Sequence, residues 1–143
     1  MARIKIDLPE KFLFTTKIPV RITDLNYGGH VGNDIVLSII HEARVQFLQH
    51  YGYAELNFAG VGLIMSDVGI EFKNEIFYGD HIKASITIGE FSKAGFDIFY
   101  KLEKETAEKN ILLAIAKTGM VCYNYELKKI TAVPDDAKAK LIG

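Results

Sequence analysis

The sequence predicts an α+β fold in which one long helix lies on a mainly antiparallel sheet. A helical pattern of apolar residues occurs over about residues 33–51, and alternating apolar residues dominate the chain after it. Short turns join the later strands, so neighbouring strands should run in opposite directions. The chain has 143 residues, of which 49% are hydrophobic, and this is enough for a packed core. We therefore expect a single domain that spans residues 1–143.

The first predicted element is an edge strand over residues 12–22. The segment is rich in β-branched and aromatic residues, which favour strands. Pro19 interrupts it, and proline has no N–H to donate to a sheet. The strand should therefore lie at an edge of the sheet or break at this residue.

The long helix follows, from residue 33 to about residue 51. Its apolar residues recur at three- and four-residue steps at Val36, Ile39, Ile40, Ala43 and Phe47. Asn33 is suited to cap the start of the helix, and Gly52 is suited to the left-handed conformation that ends many helices. The first half of the helix is apolar on several sides, which predicts burial on more than one face.

Strands are predicted for most of the remaining chain. Residues Ile64, Val68, Ile70 and Phe72 share one parity. After a turn at 79–80, the even-numbered residues from 82 to 88 are apolar and alternate with polar ones. Further strands are predicted over 96–102 and about 111–125, and Pro134 opens a short C-terminal helix.

Composition excludes several classes of function. The 17 basic and 18 acidic residues give a net charge of −1, with no basic stripe for nucleic acid. No apolar run reaches the roughly 18 residues needed to cross a membrane, and charges break the N-terminal segment where a signal peptide would be apolar. The single cysteine, Cys122, has no partner for an intramolecular disulfide, and no cysteine or histidine spacing suggests a metal site. We expect a cytoplasmic protein without bound metal.

A glycine-rich loop before the helix is the strongest functional signal. It reads Asp24-Leu25-Asn26-Tyr27-Gly28-Gly29-His30-Val31-Gly32-Asn33. Glycines let a backbone adopt positive φ and come close to a ligand. The start of the helix that follows offers unpaired N–H groups and a partial positive charge. An acid, an amide and an imidazole in such a loop indicate an active site.

This loop, the helix segment His41-Glu42-Ala43-Arg44 and the pair Gly79-Asp80 resemble the 4-hydroxybenzoyl-CoA thioesterase-like branch of the hotdog-fold superfamily. The likeness covers nearly the whole chain. It implies a curved antiparallel sheet wrapped around the helix. It also implies a homodimer or homotetramer that binds acyl-CoA between subunits, with coenzyme A as part of the substrate and no separate cofactor.

One position departs from the family pattern. The family loop usually reads Asp-x-Asp-x-x-Gly-His-Val-Asn-Asn, and its second aspartate is the nucleophile or general base. Asn26 stands at that position here. An amide cannot accept a proton near neutral pH. Asn26 therefore either holds an attacking water through its side-chain carbonyl or bonds its own backbone in a turn.

Two loop residues are candidates for the missing base. Asp24 lies two residues before Asn26, so in extended chain both side chains point the same way. It is either a displaced base or a brace for the loop, with Arg21 or the His30 ring as its partner. His30 has a pKa suited to proton transfer near pH 7, and its alternative role is a structural hydrogen bond.

Asp67 is a third candidate, outside the loop. It shares parity with Leu63 and Met65, which would place its carboxylate on a partly apolar surface. Desolvation there would raise its pKa towards that of a useful base. The alternative is an ordinary solvent-exposed aspartate on a strand.

The remaining site predictions concern the thioester carbonyl and the substrate body. The backbone N–H groups of Gly32 and Asn33 are predicted to hold the oxyanion. Tyr27, Gly28 and Gly29 are predicted to contact the substrate.

The leading hypothesis is an acyl-CoA thioesterase that hydrolyses a fatty or aromatic acyl-CoA to the free acid and coenzyme A. Two alternatives stay open, a hotdog hydratase or dehydratase and a non-catalytic module that binds acyl thioesters. The carrier is either coenzyme A or an acyl-carrier protein.

Overall fold

A computed structural model describes residues 3–29 and 31–142 of the chain. They form a six-stranded sheet and two α-helices. The elements are β1 (Phe14–Pro19), α1 (Asn33–His50), β2 (Gly62–Phe72), β3 (His81–Phe91), β4 (Gly95–Glu105), β5 (Asn110–Asn124), β6 (Lys129–Ile130) and α2 (Asp135–Ile142).

The sheet is antiparallel throughout, with the order β1-β3-β4-β5-β2, and β6 pairs with the end of β5. One face of β3, β4 and β5 is buried with α1 in a single core. The order confirms the predicted antiparallel sheet with one long helix. It also places β1, which ends at Pro19, at an edge as predicted.

The ends of α1 follow from local sequence. Gly32 precedes the helix in extended conformation, so the helix caps one residue before the predicted Asn33. Gly52 has φ +82° and ends the helix as predicted. Its N–H donates to the Gln49 carbonyl at 2.9 Å, and the N–H of Tyr53 donates to the Leu48 carbonyl at 2.9 Å. This pair of bonds is the Schellman arrangement, which favours glycine at this position.

The buried side of α1 holds the apolar residues that the sequence pattern predicts, together with Arg44 and Leu48. The expectation of burial on more than one face is wrong for the protomer. Leu37 is 36% exposed, because the helix turns this residue away from the sheet.

A β-bulge in β2 overturns two parity predictions. Met65 pairs with Met120, but Asp67 pairs with Gly119, so Ser66 is an extra residue. Met120 and Gly119 are neighbours on β5 and face opposite sides of the sheet. Asp67 is therefore on the opposite face from Met65, and Ile64 does not share a face with the later apolar residues of β2.

An N-terminal arm, residues 3–13, lies on the face of the sheet that is turned away from α1. The N–H of Ile6 donates to the Glu71 carboxylate at 2.9 Å. A β-carbon on Gly69 would lie 3.5 Å from the Ile4 side chain. The ammonium of Lys101 lies 5.6 Å from the centre of the Phe12 ring. This arm covers part of the outer face of the sheet.

A buried polar network ties α1 to the sheet. Arg44 donates to Glu55 at 2.9 Å and to the hydroxyl of Tyr100 at 3.3 Å. The Tyr100 hydroxyl also lies 2.7 Å from that of Thr118. His41 adds a 3.2 Å contact to Glu55 from the exposed side. Arg44 therefore pairs with a residue of the loop after α1.

None of the described helices is long and apolar enough to cross a membrane.

Candidate functional site

The loop before α1 is anchored by an arginine–aspartate pair. The Asp24 carboxylate accepts the backbone N–H of Arg21 at 2.8 Å and its guanidinium at 3.1 Å. Burial alone would raise the pKa of Asp24, but the hydrogen bonds and charge of Arg21 outweigh it and leave the pKa below its ordinary value. Asp24 is a brace in this geometry, and a carboxylate with a lowered pKa is a weak base.

Asn26 forms a turn with its own side chain. Its Oδ1 accepts the backbone N–H of Gly28 at 2.8 Å, and its backbone carbonyl accepts the N–H of Gly29 at 3.1 Å. Gly29 has φ +79°, a conformation that suits glycine. Tyr27 is fully exposed at the tip of this turn. Of the two roles predicted for Asn26, the structure shows the turn.

The turn fixes where the Asn26 amide points. A backbone N–H can only donate, so the atom facing Gly28 must be the amide oxygen. The nitrogen, Nδ2, then faces the start of α1, 3.6 Å from the position of a β-carbon on Gly32. The Asn26 side chain presents a hydrogen-bond donor to the helix start.

Backbone donors collect at the same place. The Gly32 carbonyl accepts the N–H groups of Ile35 and Val36 and so begins the helix. The N–H groups of Gly32, Asn33 and Asp34 have no acceptor among the described residues. Free N–H groups at a helix start, together with the helix dipole, favour a negative charge.

A cavity of about 340 Å³ opens beside these donors. It lies between α1 and the connection from β2 to β3, and Asn33 reaches it from the helix start. Its apolar wall is formed by Val31, Val36, Phe72, Ile76 and Leu113. The volume is within the range of small-molecule sites, which are mostly apolar with a few polar groups.

Asp67 lies on the outer face of β2, away from this cavity. Its carboxylate accepts the Lys117 ammonium at 3.0 Å and the backbone N–H of Gly119 at 3.0 Å. The carboxylate occupies the space that a β-carbon on residue 119 would need, since the two would be 2.2 Å apart. Asp67 closes the bulge of β2, and because the bulge inverts the strand, Asp67 does not share a face with Leu63 and Met65 as parity predicts.

The structure thus brings together Asn26, Gly32 and Asn33, as the sequence predicts. It places Asp24 in a separate cavity of about 180 Å³, on the β1 side of α1. The prediction for His30 falls outside the described residues. Sequence reasoning missed Asp34, whose Oδ1 lies 2.8 Å from the β-carbon position of Gly32. An acid in the first turn of the helix after the glycine-rich loop is the signal that would have found it.

One long helix on an antiparallel sheet of order β1-β3-β4-β5-β2 defines the hotdog class of fold. Residues 20–141 match the model of the thioesterase-like superfamily. The chain belongs to this superfamily, which confirms the prediction of a hotdog-fold thioesterase.

Individual relatives agree with this assignment. The chain is 30% identical over 122 residues to a 1,4-dihydroxy-2-naphthoyl-CoA hydrolase of Microcystis aeruginosa, covering 83% of this chain and 86% of that protein. A solved 1,4-dihydroxy-2-naphthoyl-CoA thioesterase from Synechocystis is 25% identical, with a TM-score of 0.80 and coverage of 90% and 95%. The 4-hydroxybenzoyl-CoA thioesterase of a Pseudomonas species shares the fold, with a TM-score of 0.79, 16% identity and coverage of 89% and 97%.

Proposed function

We propose that this chain hydrolyses an aromatic acyl-CoA thioester to the free acid and coenzyme A, at the loop before α1. Membership of the thioesterase-like superfamily supports hydrolysis of a thioester. The relatives from Microcystis and Synechocystis, both named for a naphthoyl-CoA, support an aromatic acyl group. Coenzyme A enters as part of the substrate, and the reaction needs no other cofactor. The single thiol, Cys122, is buried and free, which suits a reducing, cytoplasmic location.

The observation that carries the proposal is the group of donors at the start of α1. Attack on a thioester moves negative charge onto the carbonyl oxygen, and donors aimed at that oxygen stabilise the transition state. Asn26 Nδ2 and the free N–H groups of Gly32 and Asn33 are available for it. In this role Asn26 is an electrophilic donor and does not need to accept a proton.

The adjoining cavity suits the acyl group. Its wall includes Phe72 and the aliphatic side chains of Val36, Ile76 and Leu113, so an aromatic ring would be removed from water there. Tyr27, exposed at the loop tip, and the turn glycines Gly28 and Gly29 are our candidates for contacts with the rest of the substrate.

Thiol release from a panel of acyl-CoAs tests the substrate class. The panel contains 1,4-dihydroxy-2-naphthoyl-CoA, 4-hydroxybenzoyl-CoA, benzoyl-CoA, and short, medium and long fatty acyl-CoAs, each with a blank lacking enzyme. We expect saturable turnover with the highest kcat/KM on an aromatic member. Highest kcat/KM on a fatty member would replace the aromatic assignment, and no turnover on any member would contradict the function.

Substitution of Asn26 tests the site. Removal of one oxyanion donor typically lowers kcat by about 10²–10³-fold, so Asn26→Ala should lose kcat on this scale with little change in KM. Asn57→Ala is the matched control, because Asn57 Oδ1 also holds a loop by accepting a glycine N–H, from Gly60 at 3.1 Å. An Asn26→Ala enzyme as active as the Asn57→Ala enzyme would remove Asn26 from the mechanism.

We further propose that the working unit is a dimer formed through β2. This strand has 11 residues and lies at the edge of the sheet, and free strand edges pair with other chains unless they are blocked. Its exposed apolar side chains are Ile64, Met65, Val68 and Phe72. They would be covered by the same strand of a second copy, and a tetramer would require further contacts.

Light scattering on a charged variant tests the dimer. The double substitution Met65→Lys and Val68→Lys should give a monomer where the wild type is a dimer, because like charges would face each other across the two-fold axis. Leu127→Lys is the control, since Leu127 is 63% exposed and lies outside β2. A monomeric wild type, or a double variant that stays dimeric, would contradict this interface.

A further inference from the structure

Hydrolysis requires a group that takes a proton from water, and both carboxylates predicted for this role, as well as Glu42 of α1, form contacts elsewhere. Asp24 is held by Arg21 below the loop. Asp67 is held by Lys117 on the outer face of the sheet. Glu42, on the exposed side of α1, accepts the side-chain amide of Gln46 at 3.1 Å.

Asp34 is a carboxylate at the site without such a partner. It is the second residue of α1 and is exposed, and no described residue donates a hydrogen bond to its carboxylate. Its Oδ1 lies 2.8 Å from the β-carbon position of Gly32, and Asn26 Nδ2 lies 3.6 Å from the same point. The carboxylate and the amide donor are therefore separated by no more than the sum of those distances.

This separation fits a base and an oxyanion donor acting on one carbonyl. A water between them would contact the carboxylate on one side and the acyl carbon on the other, with the carbonyl oxygen directed at the donor. Glycine at position 32 leaves the space open, because a β-carbon there would clash with the Asp34 carboxylate.

We propose that Asp34 is the general base of the thioesterase, an inference that rests on the proposed function. Asp34 takes one proton from a water as the water oxygen bonds to the acyl carbon, and the carbonyl electron pair moves onto the oxygen held by Asn26. Collapse of this intermediate re-forms the carbonyl and breaks the carbon–sulfur bond. The proton on Asp34 passes to the departing thiolate, so the products are the carboxylic acid and coenzyme A thiol.

A purely structural role for Asp34 is the alternative. An acid in the first turn of a helix is stabilised by the helix dipole. Asp136 holds the equivalent second position of α2. Asp136→Asn is therefore a control that removes the same helix-start charge far from the site.

The experiment compares kcat/KM against pH for the wild type, Asp34→Asn and Asp136→Asn on the best acyl-CoA of the panel. General bases contribute typically about 10²–10⁴-fold, so Asp34→Asn should lose at least 100-fold in kcat with KM within about threefold. The wild-type profile should fall at acid pH, and this limb should be absent from Asp34→Asn. Asp136→Asn should keep the wild-type rate, and Asp34→Glu should restore the acid limb.

Substitution of other ionisable groups near the start of α1 could contradict the assignment of Asp34. His30 precedes the helix, and Lys73 and Glu75 lie on the cavity wall. Loss of the acid limb in His30→Gln or Glu75→Gln, with the limb kept in Asp34→Asn, would overturn the assignment while the thioesterase function stands. A wild type without turnover on any acyl-CoA would overturn both.

Discussion

Replacing Tyr100 by phenylalanine should destabilise the protein by about 2–3 kcal/mol. The side chain is fully buried, and its hydroxyl joins Arg44 on α1 to Thr118 on β5. A neutral hydrogen bond contributes about 1 kcal/mol and one to a charged group about 1.5–3 kcal/mol. The Arg44 bond is long, at 3.3 Å, so its contribution should fall at the lower end.

Thermal and urea unfolding measure this loss. In a chain of this size about 2–3 kcal/mol corresponds to a fall in Tm of roughly 6–10 °C. The control is Tyr51→Phe, because the Tyr51 hydroxyl makes no hydrogen bond to a described residue. A double-mutant cycle with Thr118→Val isolates the 2.7 Å hydroxyl pair, with an expected coupling of about 1 kcal/mol.

Alkaline pH gives a second readout of the same residue. Burial raises the pKa of Tyr100, an effect that Arg44 and Thr118 only partly offset. Because the pKa is raised in the folded state, the stability that the neutral Tyr100 side chain contributes is fully present below a pH of about 10. It is lost as pH rises through the folded-state pKa. The wild type should therefore lose stability above pH of about 10 with one more linked proton than Tyr100→Phe. Equal unfolding free energies for wild type and Tyr100→Phe at neutral pH would refute the reasoning.

Three further outcomes are expected. Gly95→Ala should lose about 2 kcal/mol or more in urea unfolding, because its β-carbon would lie 2.1 Å from a backbone oxygen of β5, whereas Gly69→Ala meets only ordinary contacts; equal losses would contradict this. Asp24→Asn should lower the free energy of unfolding by about 1–2 kcal/mol at pH 7. Because Arg21 lowers the pKa of Asp24, the wild-type carboxylate stabilises the fold above its ordinary pKa, and this stability is lost as pH falls through the folded-state pKa. The variant should not show this loss, and an acid unfolding transition like that of the wild type would contradict the bracing role. The Cys122 thiol, whose pKa burial raises to about 11, should react with a disulfide reagent at neutral pH only after unfolding, and fast reaction of the native protein would show that the core opens.

Sequence periodicity predicts the elements whose pattern is local and regular. The buried side of α1 follows from an apolar repeat of 3.6 residues, and the alternation of apolar and polar residues in β3 and β4 follows from a repeat of 2 residues. The bulge of β2 is different, because one extra residue inverts the parity of every side chain beyond it. Ser66 carries no marker of this, and its hydroxyl bond to the Gly119 carbonyl at 3.1 Å depends on a strand 53 residues away. The face of the sheet on which Asp67 lies therefore could not be predicted from the sequence.

In the candidate site, too, local features could be predicted from the sequence and contacts between distant residues could not. The loop and the helix start are contiguous in sequence, so Asn26, Gly32 and Asn33 could be predicted to lie together. The partners of buried charges could not be predicted in this way. Arg44 pairs with Glu55, and Glu55 lies in a loop whose path depends on tertiary packing. The direction of the Asn26 amide also requires the turn to be seen.

That direction gives a physical meaning to asparagine at position 26. An aspartate would make the same turn, because either side chain can accept the Gly28 N–H. The two residues differ in the second atom, which faces the free N–H groups at the start of α1. A carboxylate oxygen there could not donate a hydrogen bond, and its charge would repel the negative charge of a substrate oxyanion. An amide nitrogen adds a donor but cannot take the proton, so a different residue must do so, and we assign this role to Asp34 because its carboxylate lies at the same helix start.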